Sequence, residues 1–181
     1  MSPNQTVKIT LDHNCLIDLK QSNNIGVHIR TLLTNTNFEF YIVNVGASEM
    51  CENREFANNY ETFEAFLKSI NLAHLPRLDP LFIWDFSYWD HCIYAEEPTV
   101  KLSEDISKVL FNTHSQPTSS KDLKKWRNSL CDIQTMWCHI YYGNDIFLTT
   151  DNNFMKISKI NKLINIGAKN LCHPLNLLEK H

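Results

Sequence analysis

The chain has 181 residues, a net charge of -3 and a pI near 6.2, a balance too acidic for bulk electrostatic capture of nucleic acid. Hydrophobic residues make up 43% and charged residues 20%, which argues against disorder over most of the length and suits one domain with its own core. The opening MSPNQTVKIT carries no apolar run of signal-peptide type and no stretch is long enough for a bilayer span, so a cytoplasmic protein with no membrane contact is expected.

The first predicted element is VKITL, residues 7–11, which alternates apolar and polar residues as a strand with one face buried more than the other. Asp12 ends it, and residues 14–20 form a short helix. Ile25, Ile29, Leu32 and Leu33 recur at helical spacing and predict an amphipathic helix. Residues 38–45 (FEFYIVNV) are rich in β-branched and aromatic side chains and predict the second strand. Helix character returns at GASEM, and after a break Tyr60, Phe63, Phe66, Leu67 and Ile70 mark a further helical stripe. From Pro76 to Pro98 the pattern assigns no element: Phe82, Trp84, Phe86, Tyr88 and Trp89 stand among Asp85, Asp90, Glu96 and Glu97. Ile106, Val109 and Leu110 predict a helix capped by Ser103, and SQPTSS reads as a loop.

A long helix follows over about 120–142. Leu123, Trp126, Leu130, Ile133, Trp137 and Ile140 form its apolar stripe, and Lys121, Lys125, Asn128, Asp132, Thr135 and His139 form a polar one. Residues 146–150 (IFLTT) predict a strand ending at Asp151, Ile157, Ile160 and Ile164 a helix, and residues 168–172 a short last strand. Gly143 and Gly167 fall where helices should stop. The six cysteines include no CxxC pair and read as reduced, mostly buried small hydrophobes rather than zinc ligands. Strands alternating with helices imply a three-layer α/β/α fold with a mainly parallel sheet.

In open parallel sheets, ligands bind beyond the carboxyl ends of the strands. Asp12 and Asp151 directly follow predicted strands, and Glu49 lies in the first turn of the helix after the second strand. Asp132 is on the polar stripe of the long helix. Each acid alone has a plain structural explanation: aspartates cap helices, a glutamate suits a helix N-terminus, and a helix aspartate is usually solvated. All four at one sheet edge would repel unless a divalent cation joined them, and magnesium and manganese favour such hard oxygen ligands. The chemistry implied is hydrolysis at phosphorus. Asn14, Thr149 and Asn153 flank the acids and are placed to orient ligands or water.

LDHNCLIDL, VGASEM, CDIQTMWCHIYYGNDIFLTTDNNF and KNLCHPLNLL together resemble, in order and spacing, the motif blocks of PIN domains over residues 7–52 and 128–178. Asp151 follows Asp132 by 19 positions, close to the interval usual in that family. The resemblance implies a metal-dependent endoribonuclease using Mg2+ or Mn2+, with Asp12, Glu49, Asp132 and Asp151 as metal-site acids and RNA as substrate. Many small PIN proteins are toxins held inactive by an antitoxin or another regulatory protein, and homodimers are common among them. Two departures bear on a toxin role. The middle region, about 73–127 of a single domain spanning 1–181, is longer and more aromatic than small toxins need, and Asn152 and Asn153 stand where an additional acid sometimes occurs.

Lys121 and Lys125 precede Asp132 on one face and would hold RNA phosphates if they serve the site; otherwise they are ordinary charges on a solvated face. His139 on that face reads as structural or exposed rather than catalytic. The aromatic segment 82–94 would stack unpaired bases, or belong to the core or an interface. The competing functions are a PIN-like RNA-binding or assembly module with weak catalysis, and a phosphatase of the haloacid dehalogenase type. The latter needs a second aspartate where this chain has Asn14. With only 4 glycines and no glycine-rich turn after the first strand, dinucleotide binding is disfavoured.

Overall fold

A computed structural model describes residues 6–49, 59–83, 87, 90–111 and 120–177. Trp84, Phe86, Tyr88 and Trp89, most of the SQPTSS loop, and the side chains of Glu49 and Lys121 lie outside the described residues. The described elements run β1 (Val7–Leu11), α1 (His13–Gln21), α2 (Asn24–Leu33), β2 (Phe38–Val43), α3 (Gly46–Glu49) and α4 (Asn59–Ser69). They continue with β3 (Arg77–Leu78), α5 (Glu97–Phe111), α6 (Ser120–Tyr141), β4 (Ile146–Leu148), α7 (Ile157–Ile166) and β5 (Leu171–Cys172).

The five strands form one all-parallel sheet in the order β3-β2-β1-β4-β5. Parallel neighbours need crossovers, and the helices that supply them cover both faces. On one face Leu16, Leu19, Ile29, Leu32, Phe63 and Leu67 pack onto Ile9, Leu11, Ile42, Ile146 and Leu148. On the other, Ile106, Leu110, Ile133, Trp137 and Leu163 pack onto Val43, Phe147 and Leu171. Alternation along the strands makes this division: within β4, Ile146 and Leu148 serve one core and Phe147 the other. The fold is thus the expected three-layer α/β/α arrangement. Among the described residues, no helix is long and apolar enough to cross a membrane.

Chain order makes β1 the point where the topology turns back. The path moves outward through β2 and β3, then returns to the other side of β1 to lay down β4 and β5. Connections leaving in opposite directions open a crevice at the carboxyl ends of β1 and β4.

Several boundaries differ from the sequence pattern. β1 is covered on both faces, because Thr10 is fully buried against α6 through His139. β2 stops at Val43 rather than residue 45, and 44–45 turn into α3. β4 stops at Leu148, before Thr149 and Thr150, because its neighbour β1 has there turned into α1. α5 begins at Glu97, so Ser103 lies inside the helix and does not cap it. The Thr99 hydroxyl accepts from the Glu96 amide and donates to the Glu96 carbonyl, closing the entry turn. Pro98 fits there because the first helical turn needs no amide proton. α7 forms where the isoleucines predict a helix; Ile160 and Leu163 pack on the core, while Ile157 is 80% and Ile164 43% exposed. Among the described residues, Cys15, Cys92, Cys131, Cys138 and Cys172 carry free thiols; Cys51 lies outside them.

α1 and α2 meet at a corner where Ser22 takes a left-handed conformation and the Asn23 side chain caps α2 by accepting from the Gly26 amide. The helices touch so closely that a Cβ on Gly26 would lie 2.1 Å from the Asp18 carbonyl oxygen. Backbone cannot swing aside as a side chain can. Gly26→Ala is therefore expected to cost at least about 2 kcal/mol, against about 1 kcal/mol for Gly143→Ala, where a positive φ meets open space. Urea denaturation of the two variants measures the difference, and equal losses would contradict the close-packing account.

Candidate metal centre at the carboxyl edge of the sheet

The register of β1 and β4 builds the first part of the site. Leu11 pairs with Leu148, so the next residues out, Asp12 and Thr149, fall side by side. The Asp12 amide continues the ladder by donating to the Leu148 carbonyl at 3.0 Å. The Asp12 carboxylate is 3% exposed and both its oxygens are engaged. Oδ1 accepts from the His13 amide at 2.8 Å, which makes Asp12 the N-cap of α1, and Oδ2 accepts from the Thr149 hydroxyl at 2.6 Å. Asn14 adds a further side-chain hydrogen bond to the same carboxylate.

Thr149 has one hydroxyl proton, which it gives to Asp12. Its oxygen then accepts from the Asp151 amide at 2.9 Å. Asp151 in turn accepts from the Asn153 amide at 2.7 Å, the local turn that short acidic side chains favour. The Asn153 side-chain carbonyl accepts from the Lys159 ammonium. Asn14, Thr149 and Asn153 thus flank the acids as the sequence suggested, with Asn153 bound to a lysine that the sequence pattern did not single out.

Asp132 arrives from the opposite layer. Thr135, one turn further along α6, lines a small cavity with Leu11, His13, Val45 and Gly46, at the carboxyl ends of β1 and β2. Residues three apart share a helix face, so Asp132 is carried to the same sheet edge. Burial first, and then the charges of Asp12 and Asp151, raise the Asp132 carboxyl to about 8 against a smaller opposing pull from Lys159. Burial likewise raises Asp12 to about 6 against the opposing hydrogen bonds from Thr149, His13 and Asn14, with Asp151 adding to the rise. The three aspartates therefore sense one another as charges.

Glu49 ends α3, which packs against α6, and its side chain lies outside the described residues. Lys125 is exposed on the first half of α6, on the side that leads to Asp132. His139 is fully buried, bonded to Thr10, and held neutral because burial lowers it to about 3. His13, next to Asp12, is lowered to about 4 by burial and packs beside Phe63 and Phe66. Neither histidine is charged at neutral pH.

Oxygen-only donors, buried and mutually repelling, are the chemistry that a hard dication reverses. Asp12, Asp132 and Asp151 would hold such an ion. Among the described residues, however, no three His, Cys, Asp or Glu side chains form a ready ligand group. Both Asp12 oxygens already accept hydrogen bonds, so a cation there would share them.

The raised values have a consequence for stability. Both folded pKa values exceed the ordinary 3.8, so the stabilisation is full below that value and is lost as pH rises through about 6 for Asp12 and about 8 for Asp132. In EDTA, the wild type is expected to weaken steadily toward pH 8, and Asp132→Asn to flatten that slope and gain on the order of 2 kcal/mol there. Urea denaturation across pH decides this; an unchanged slope in the variant would mean that the Asp132 carboxyl is not strained. No family model matches this chain, and no curated protein or solved structure matches it.

Proposed function

We propose that this chain is a PIN-type endoribonuclease that depends on Mg2+ or Mn2+ and hydrolyses RNA phosphodiesters. The observation that carries the reading is the convergence of Asp12, Asp132 and Asp151, from three separate elements, at the edge where the sheet topology reverses. Ordinary packing does not favour carboxyls that burial and neighbouring acids push upward, as they do Asp12 and Asp132. When bound, the ion supplies an activated water and stabilisation of the leaving oxygen. The chain's own part is to hold the three carboxylates, with Glu49 as a fourth on the strength of the motif resemblance. Thr149 fixes Asp12 and the Asp151 backbone relative to each other. Lys125, exposed on α6, is the group for an approaching RNA phosphate, with Lys121 one turn before it. The chain is read as one domain enlarged over about 73–127, and a toxin restrained by an antitoxin is one form such a protein takes.

A second reading is a PIN-like RNA-binding or assembly module with weak catalysis. It is favoured by the lack of a ready ligand group among the described residues. Cleavage of single-stranded RNA with added Mg2+ or Mn2+ separates the two. The wild type is expected to cut, EDTA to abolish cutting, and Asp12→Asn to slow it at least about a hundredfold while keeping its circular dichroism. Folded wild type that binds RNA and cuts nothing with either metal would sink the nuclease reading in favour of the second.

A further inference from the structure

Lys159 lies in the first turn of α7, yet its ammonium reaches two other parts of the molecule. It donates to the Leu110 carbonyl, in the last turn of α5, and to the Asn153 side-chain oxygen, both at 2.5 Å. The first bond satisfies one of the carbonyls that every helix leaves open at its C-terminus. The second holds the turn in which the Asn153 amide binds Asp151. The Phe111 ring faces the ammonium, its centroid 5.9 Å away. Two of the three ammonium protons are thus committed, and the charge is held in place beside the acids.

We infer that Lys159 is a built-in counter-cation of the acidic site: it positions the Asp151–Asn153 turn and offsets part of the carboxylate charge that a divalent ion would otherwise meet in full. The inference rests on the metal-site reading above. Electrostatic coupling of Lys159 to both Asp151 and Asp132 supports it. A fixed positive charge beside the acids steadies the metal-free protein and opposes the incoming ion. Lys159 is therefore a positioning residue with an electrostatic effect.

Charge and tether predict opposite results for one substitution. Lys159→Met keeps length and apolar stem but removes the charge. If Lys159 acts as a counter-cation, the variant binds Mn2+ about three- to tenfold more tightly at low salt, and the gain shrinks as salt rises. Lys159→Arg keeps the charge and stays near wild type. If Lys159 only tethers α5 to the turn, Lys159→Met binds Mn2+ equally or more weakly at every salt concentration. Mn2+ titration followed by electron paramagnetic resonance of the free ion, with Asp12→Asn as control, reads all of these. Tighter, salt-sensitive binding in Lys159→Met supports the inference, and unchanged or weaker binding overturns it. Wild type that binds no more Mn2+ than Asp12→Asn removes the metal-site reading and this inference together.

Discussion

The parallel register of β1 on β4 is the constraint on which the acidic edge depends. With Leu11 opposite Leu148, Asp12 and Thr149 become neighbours, and one hydroxyl joins the acid of the first strand to the backbone of the last acid. A shift of one residue would turn Thr149 to the other face and part the pair. The same hydroxyl helps explain why Asp12 and Asp132 differ. Both carboxyls are pushed up by burial, but Asp12 reaches only about 6 with hydrogen bonds from Thr149, His13 and Asn14, whereas Asp132 reaches about 8. Hydrogen bonds to the charged form explain the lower value.

A comparison within the molecule shows that this strain is local. Asp145 lies at the opposite, amino edge of the sheet. Burial pushes it up too, but hydrogen bonds from Lys169 and the Lys8 amide outweigh that, and its pKa falls below the ordinary value. There an acid ties the start of β1 to the turn before β4, and its charge stabilises the fold. At the carboxyl edge the balance is the reverse: burial and neighbouring acids outweigh the hydrogen bonds, and Asp12 and Asp132 rise above the ordinary value at a cost in stability.

Much of the fold was legible in the sequence, because parallel strands buried on both faces become short apolar runs and the intervening helices carry regular stripes. Phe38–Val43, Ile25 through Leu33 and the whole of α6 could be read in this way. β3 could not: two residues, Arg77 and Leu78, hold no period, and the strand exists only because β2 offers an edge to pair with. The start of α5 was hidden because Pro98 looks like a breaker unless it is already known to sit in a first turn. Asp12 and Asp151 were legible from their place after strands. Lys159 was not, since its partners Leu110 and Asn153 lie 49 and 6 residues away and only packing of α5 on α7 brings them together. The isoleucines of α7 marked the helix correctly, but spacing does not show which side is covered: neighbours cover Ile160 in part and leave Ile157 and Ile164 exposed.

α6 is anchored near its C-terminal end. The Asn144 side-chain amide donates to the Thr10 hydroxyl, and the same hydroxyl shares a hydrogen bond with His139 Nδ1. This buried knot fixes how far along the sheet the helix sits. Asp132 lies seven residues earlier, about 10 Å up the same helix. The helix therefore behaves as a rigid ruler, with its zero mark at Thr10 and its reading at the acidic edge. Asp151 is carried by a turn and can adapt to small changes in chain length. Asp132 has no such slack, because one residue inserted or lost between 132 and 139 would swing it about 100° around the helix axis and away from its partners.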